Sequence, residues 1–203
     1  MKYKAVFWDF DGVWSKDYFY KNLAKISQKA KEFTQTKIFG PNGEGRPDKW
    51  MRAEIDMNDI NRLISKETGI DFDLLTKSFL EDVAQMEIEM RHIPIVEKLK
   101  LKGITVGMVT NNMDVFDIVT RPRLNFDKLF NGLVFNSFAY KKMKSDGLFD
   151  IAMEKIGHSD YSQILLIDDS LKARDIFESK GGDTYAYTNF EDFKIWADQN
   201  LLK

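Results

Sequence analysis

Polar side chains follow several short apolar runs of this sequence, and they carry the groups that bind charged ligands. In chain order they are Asp9 and Asp11, then Thr110 with Asn111, then a lysine in the stretch 142–144, and finally Asp168 with Asp169. Carboxylates that meet in space repel each other, and a hard divalent cation such as Mg²⁺, which takes oxygen ligands, would relieve that repulsion. A carboxylate can also attack a phosphoryl group, whose charged oxygens a hydroxyl and a lysine would hold.

The apolar runs have the composition of buried strands. Residues 5–10 form a run that is apolar, aromatic and β-branched apart from Asp9, and the run ends in acids and Gly12. Similar runs occupy residues 104–109, 133–135 and 164–167, with a weaker candidate at 184–187. Helical patterns alternate with these runs, which predicts an α/β fold with a Rossmann-like parallel sheet of about five strands, the first being central. Because ligands bind at the carboxyl ends of parallel strands, the polar groups that follow them should converge.

The segment 15–92 interrupts this alternation. It contains no strong strand pattern, whereas apolar residues recur at helical spacing after residues 23, 50 and 74. The turn-forming residues of the stretch 40–47 predict a loop within it. We therefore predict an α/β core domain formed by residues 1–14 and 93–203, and an inserted α-helical cap domain formed by residues 15–92.

Four segments of the chain resemble the motifs of the haloacid dehalogenase superfamily, in the same order and with similar spacing. They are FWDFDGV at residues 7–13, VTNN at 109–112, a lysine before a helix, and LLIDDS at 165–170. The resemblance covers the core, and a helical cap at the position of the insertion is common in that family. It implies a hydrolase of the phosphatase type that uses Mg²⁺.

The resemblance also implies a role for each matching residue. Asp9 would be the nucleophile and a Mg²⁺ ligand, and Asp11 would be the general acid and base, with its backbone carbonyl as a second ligand. Thr110 would hydrogen-bond the transferred phosphoryl group. Asp169 would complete the metal site, and Asp168 would be a further ligand or support the ligands.

Two assignments within these motifs stay open. The family often has Lys-Pro in its third motif, whereas this chain has YKKMKSDGLF without a proline. We favour Lys144 over Lys142, because Lys144 leads directly into a predicted helix. Either Asp168 or Asp175 would assist the metal.

Two further residues are predicted to bind substrate together with Thr110 and Lys144. Asn111 follows the second strand directly, so it should lie beside the phosphoryl group. Arg46 lies in the predicted loop 40–47, which would face the catalytic strand ends if the cap closes over them.

The sequence thus predicts a Mg²⁺-dependent phosphatase that hydrolyses a small phosphorylated metabolite through an aspartyl-phosphate. The alternatives are a phosphosugar mutase of the β-phosphoglucomutase type and, less favoured, a 2-haloacid dehalogenase, which needs neither metal nor an acid at Asp11. A receiver-type signalling module also combines acids, a Thr and a Lys, but its paired acids come on the first strand, whereas here the adjacent pair comes late.

Composition restricts the remaining classes. The 203 residues include no cysteine, which excludes disulfides, thiolate nucleophiles and Cys-ligated metals and fits a cytoplasmic location. A formal net charge of −2 gives no electrostatic reason to expect nucleic acid or an anionic membrane as partner. The start of the sequence resembles neither a signal peptide nor a membrane span. The sequence contains no pattern that indicates an oligomeric state.

Overall fold

The structure is a computed structural model that describes residues 2–203. Within these residues five parallel strands form one sheet in the order β3-β2-β1-β4-β5. The strands are β1 (Ala5–Trp8), β2 (Thr105–Thr110), β3 (Val134–Asn136), β4 (Ile164–Asp168) and β5 (Asp183–Ala186). The predicted α/β class, the strand number and the central first strand are confirmed.

Strand β1 is buried on both faces, which explains its continuous apolar sequence. Val6 and Trp8 pack into the apolar cluster on one side of the sheet, and Ala5 and Phe7 pack into the cluster on the other side. This alternation follows from the two-residue side-chain period of a strand. Neighbouring strands pair with β1 so that Trp8 lies beside residues near the ends of β2 and β4, and all three strands end at one edge.

Helices cover both faces of this sheet. In chain order, those that follow residue 91 are α5 (His92–Leu101), α6 (Arg121–Arg123), α7 (Phe126–Leu129), α8 (Ser137–Tyr140), α9 (Leu148–Lys155), α10 (Leu171–Ser179) and α11 (Phe190–Asn200). Ser170 caps α10 through a hydrogen bond from the Ala173 amide to its side chain, as its position after a strand suggests.

The segment between β1 and α5 is helical. Its helices are α1 (Gln28–Phe33), α2 (Arg46–Met51), α3 (Met57–Thr68) and α4 (Phe72–Ala84), with short turns of other helix types at Leu23–Lys25 and Thr34–Ile38. Their apolar faces form a separate buried cluster that includes Trp50, Ile60 and Phe79. The division of the chain into a core and a cap domain stays a prediction. No helix within residues 2–203 is long and apolar enough to span a lipid bilayer.

Candidate active site

Two aspartates stand at the ends of neighbouring strands at the carboxyl edge of the sheet. Asp9 directly follows β1, where its amide donates to the Ile167 carbonyl at 2.9 Å, and Asp168 is the last residue of β4. Backbone amides hold both carboxylates: Phe10 N donates to Asp9 Oδ1 at 2.7 Å, and Ser170 N donates to Asp168 Oδ1 at 2.9 Å. Strand pairing therefore fixes the spacing of the two acids.

Lys144 lies between these two carboxylates. Its Nζ is 2.7 Å from Asp9 Oδ2 and 2.7 Å from Asp168 Oδ2, and the residue is 3% exposed. The turn that carries it is fixed to the core, because the Lys144 amide donates to Asn111 Oδ1 at 2.9 Å. Lys142 is exposed. Of the two lysines left open by the sequence, the structure thus brings Lys144 to the acids.

A third carboxylate completes a group that could hold a metal ion. Asp9, Asp168 and Asp169 each place a carboxylate oxygen so that the three oxygens lie within 4.8 Å of one another. An all-oxygen donor set of this kind fits Mg²⁺. Asp175, the other candidate, is exposed on α10 and is not part of this group.

Gly12 allows Asp169 to approach the loop after β1. Its φ is +75°, and a Cβ at this position would lie 2.1 Å from Asp169 Oδ2. A side chain at residue 12 would therefore displace the carboxylate, in addition to straining the backbone. The glycine of the DFDG sequence has a steric role that its position alone did not reveal.

Thr110 offers an unused hydroxyl at the same edge. It is the last residue of β2, it is fully buried, and its Oγ1 has no hydrogen-bond partner among residues 2–203. A buried hydroxyl without a partner is costly, so a ligand oxygen at this position would satisfy it. A phosphoryl oxygen of a bound ligand would be one such acceptor for the Thr110 hydroxyl.

Asn112, the last residue of the VTNN segment, contacts one of the acids. Its Nδ2 donates to Asp11 Oδ2 at 3.0 Å. Its own amide donates to Asn136 Oδ1 and Ser137 Oγ, each at 3.0 Å, which anchors it at the end of β3. Asn112 thus holds the carboxylate of Asp11, and the sequence signal for it was only its place after VTN.

The surroundings raise the pKa of three carboxyl groups of the site, those of Asp9, Asp11 and Asp169. Burial, reinforced by the charge of Asp168, raises the pKa of Asp9 against the opposing pull of Lys144. Desolvation of the Asp11 carboxyl, together with the negative charges of Asp9 and Asp169, raises its pKa to about 7 against the opposing charge of Lys144. Burial likewise raises the pKa of Asp169, with Asp168 adding to the shift. A cation would favour the charged forms.

Lys144 stays protonated in this setting. Burial alone would lower its pKa, but the negative charges of Asp9 and Asp168 outweigh that effect and raise it. The site therefore keeps one fixed positive charge beside its acids, placed to attract an anionic ligand.

A cavity of about 520 Å³ opens beside these groups. Asp11 and Asn111 line it from the ends of β1 and β2, and the helical segment supplies most of the remaining wall. Those other lining residues are Asp17, Tyr18, Phe19, Tyr20, Lys31, Thr34, Gln35, Phe39, Met51, Met86 and Met113.

Arg46 does not line this cavity. Its guanidinium donates to the backbone carbonyls of Lys37 and Gly43, at 2.9 Å and 3.2 Å, and to Glu44 Oε2 at 2.9 Å. These bonds fix the loop that precedes α2 instead of pointing the charge at the acids. The structure therefore does not bring Arg46 together with the other predicted site residues, since local backbone acceptors hold its side chain.

Three polar contacts join the helical segment to the loops that carry the site. Trp50 Nε1 donates to Asp114 Oδ1 at 2.7 Å, and the Met57 amide donates to Asp114 Oδ2 at 3.0 Å. Arg52 forms an ion pair with Asp146, two residues after Lys144. Sequence reasoning missed these residues, because a single Trp, Asp or Arg carries no spacing signal.

The chain resembles solved structures along its whole length. A predicted HAD-like family hydrolase from Porphyromonas gingivalis superposes with a TM-score of 0.75 at 16% identity, covering 100% of both chains. The HAD family enzyme BT-2542 from Bacteroides thetaiotaomicron, as a magnesium complex, matches with a TM-score of 0.69 at 16% identity, over 97% of this chain and 98% of that one. The same enzyme is also solved with magnesium and inorganic phosphate.

A 2-haloacid dehalogenase from Pseudomonas syringae pv. Tomato DC3000 matches with a TM-score of 0.60 at 17% identity, over 90% of this chain and 85% of that one. No protein-family model matches the chain, and neither does any curated protein. At these identities the likeness shows the fold. The chain has the haloacid dehalogenase-like fold, as its four motifs suggested.

Proposed function

We propose that this chain, given its haloacid dehalogenase-like fold, is a cytoplasmic Mg²⁺-dependent phosphatase that hydrolyses a small phosphorylated metabolite through an aspartyl-phosphate. The observation that carries the proposal is the buried group in which Lys144 lies 2.7 Å from both Asp9 and Asp168, with Asp169 beside them. The unpartnered hydroxyl of Thr110 at the same sheet edge supports it.

Asp9 and Asp169 would hold the cation, together with Asp168 and the backbone carbonyl of Asp11. When bound, Mg²⁺ would neutralise carboxylates and draw negative charge from the phosphoryl oxygens. Lys144 and the hydroxyl of Thr110 would hold other oxygens of the same group. The phosphoryl group would therefore meet positive charge and hydrogen-bond donors where its own charge lies.

The reaction has two steps. A carboxylate oxygen of Asp9 forms a bond to phosphorus while the bond from phosphorus to the leaving oxygen breaks, and Asp11 gives that oxygen a proton. Asp11, now a carboxylate, takes a proton from a water molecule that attacks phosphorus. The bond to Asp9 breaks, phosphate leaves, and both acids return to their starting forms. A pKa of Asp11 near neutrality suits an acid that must also act as a base.

The rival reactions use fewer of these groups or end differently. A 2-haloacid dehalogenase, the activity named for one structural neighbour, would have no use for Asp11 as an acid or for three clustered carboxylates. A phosphosugar mutase would use the same residues but return the phosphoryl group to the sugar. Halide release without Mg²⁺, or an isomerised sugar phosphate as product, would favour these rivals.

The decisive experiment replaces the proposed nucleophile. Asp9→Asn should lower the Mg²⁺-dependent release of phosphate from a generic aryl phosphate by at least about 10⁴-fold, because the amide cannot form the intermediate. Asp73→Asn is the matched control, since Asp73 is exposed on α4. Circular dichroism should show both variants folded. A folded Asp9→Asn protein that turns over at the wild-type rate would exclude the mechanism.

A further inference from the structure

The cavity beside the acids has a composition that restricts the alcohol part of the substrate. We propose, on the basis of the phosphatase function above, that this leaving group is a flat and largely apolar ring system and not a polyhydroxylated sugar. The position of the cavity, the side chains of its wall and the hydrogen bonds that those side chains already make all favour such a group.

The cavity is continuous with the reacting groups. Asp11, the proposed acid, belongs to its wall, as does Asn111, which directly follows Thr110. A phosphoryl group seated between Asp9 and Thr110 would therefore direct its leaving oxygen toward Asp11 and the rest of the alcohol into the cavity. The volume of about 520 Å³ falls in the range of small-molecule sites.

The wall is rich in aromatic and thioether side chains. These residues are Tyr18, Phe19, Tyr20, Phe39, Met51, Met86 and Met113. Tyr18 is 62% exposed and Phe39 is 40% exposed, although both are large and largely apolar. Apolar side chains that face a cavity and remain exposed are those that a ligand would cover.

The aromatic wall is also held in place. The ring of Tyr20 stacks on Phe79 with centroids 4.2 Å apart, and its hydroxyl donates to Asn61 Oδ1 at 2.6 Å. Phe19 contacts Phe79 edge-on with centroids 5.6 Å apart. A wall fixed by its own packing loses little freedom when a flat ligand docks on it.

Several polar groups of the wall are already engaged within the protein. The Thr34 hydroxyl donates to the Ala30 carbonyl at 2.8 Å. Asp17 accepts hydrogen bonds from Lys21 Nζ at 2.8 Å and from the Glu87 amide at 2.7 Å.

The remaining polar groups that the helical segment contributes to the wall are the side chains of Lys31 and Gln35 and the hydroxyl of Tyr18. They offer contacts for few substituents. The hydroxyls of a sugar would lose water without finding partners, which costs free energy for each of them.

The test compares two phosphate esters of primary alcohols, so that leaving-group acidity is similar: naphthylethyl phosphate and a hexose phosphate esterified at its primary hydroxyl. Acetyl phosphate is the third substrate, because its small acyl group does not reach the aromatic wall. With Mg²⁺ present, kcat/KM for naphthylethyl phosphate should exceed that for the hexose phosphate by about 100-fold. Equal values, or a preference for the hexose phosphate, would overturn the inference.

A variant links that preference to the wall. Phe39→Ala should lower the ratio of kcat/KM for naphthylethyl phosphate to that for acetyl phosphate by about tenfold. Ile195→Ala, which removes an exposed apolar side chain on α11, should leave the ratio at the wild-type value. If the ratio is unchanged in Phe39→Ala, Phe39 does not contact the leaving group, and the inference is contradicted.

The three substrates separate this inference from the function on which it rests. Release of phosphate from acetyl phosphate without the predicted preference would contradict the apolar leaving group and leave the phosphatase standing. If none of the three substrates releases phosphate in the presence of Mg²⁺, the proposed phosphatase function itself is contradicted.

Discussion

The two parts of the proposed active site are built in opposite ways. At the sheet edge, Asp9, Lys144 and Asp168 are buried ionisable groups, and the Lys144 ammonium lies 2.7 Å from each carboxylate. In the adjoining cavity the wall is largely apolar, and aromatic rings such as those of Tyr18 and Phe39 stay exposed. Charge is thus concentrated where the phosphoryl group would bind and is sparse where the rest of the substrate would lie.

This difference follows from what holds each part. Strand pairing and loop amides place the acids, so their geometry depends on the backbone of the sheet. The wall of the cavity comes from side chains of the helical segment, which packs on its own apolar cluster. Under the proposed function, the first part would carry out the chemistry and the second would select the substrate, so each can be disturbed separately.

The largest effect beyond that of Asp9→Asn is expected where the charges are buried. Lys144→Met leaves Asp9 and Asp168 facing each other without a counter-charge, which should lower the free energy of unfolding by about 3–5 kcal/mol. Urea unfolding without Mg²⁺ measures this loss. Added Mg²⁺ should return part of it, since a cation between the carboxylates replaces the missing charge.

Lys142→Met is the matched control for Lys144→Met. Lys142 lies two residues away and is exposed, so its loss should change the stability by no more than about 0.5 kcal/mol. If the two variants unfold at the same urea concentration, the charges at the sheet edge do not depend on one another, and the contrast with the cavity loses its basis.

The sequence sufficed for the sheet edge because its signals are local. Apolar runs identified four of the strands and a weaker pattern indicated the fifth, and the polar residues at the ends of three runs gave the acids and Thr110. Lys144 was favoured because it precedes a helix, and the structure places it between the acids. The strands differ from their predicted bounds by one or two residues, where a polar residue such as Asn136 continues the backbone pairing.

The cavity could not be predicted in the same way. Tyr18, Phe39 and Met51 are separated along the chain and meet only through the packing of helices, which no local pattern specifies. Arg46 was expected at the substrate because its loop was predicted to face the catalytic strand ends, yet backbone carbonyls and Glu44 hold its side chain. Tertiary contacts such as Trp50 with Asp114 likewise leave no periodic trace in the sequence.

A buried histidine that packs against the loop after β1, outside the cavity, should make stability depend on pH. His92, the first residue of α5, is fully buried, and its Nε2 lies 3.3 Å from the Val13 carbonyl and 3.1 Å from the Tyr187 hydroxyl. Burial lowers its pKa from 6.5 to about 4, and the opposing charges of Glu89 and Arg91 change this less.

The direction in which stability changes with pH follows from which state of the chain binds the proton. Between pH 6.5 and 4 the unfolded chain protonates this histidine while the folded chain does not, so stability falls as pH falls through that range. The loss should reach about 3 kcal/mol at pH 4. In His92→Gln, the free energy of unfolding measured by urea titration should depend less steeply on pH in this range. Comparison with the wild type removes the contributions of the other titratable groups, which both proteins share. His158→Gln, at the other histidine, controls for a change of residue type; an equal slope in wild type and His92→Gln would contradict the assignment.

The smallest effect is expected at the contact that joins the two parts. Trp50→Phe removes the Nε1 donor from Asp114 but keeps an aromatic ring in the buried cluster, and Asp114 Oδ1 still accepts from the Val115 amide at 2.9 Å. The free energy of unfolding should fall by about 1–2 kcal/mol. Trp196→Phe, at a partly buried tryptophan on α11, is the matched control.

The same variant also tests whether the two parts are coupled. Asp114 lies four residues after Thr110, so the contact with Trp50 ties helix α2, and with it Met51 of the cavity wall, to the loop that leaves the sheet edge. Loss of this contact in Trp50→Phe should raise KM for naphthylethyl phosphate by a few-fold, which corresponds to about 1 kcal/mol or less. The change in kcat should be smaller. A fall in kcat with KM unchanged would mean that the contact positions the acids rather than the wall, and the division between chemistry at the sheet and selection in the cavity would not hold.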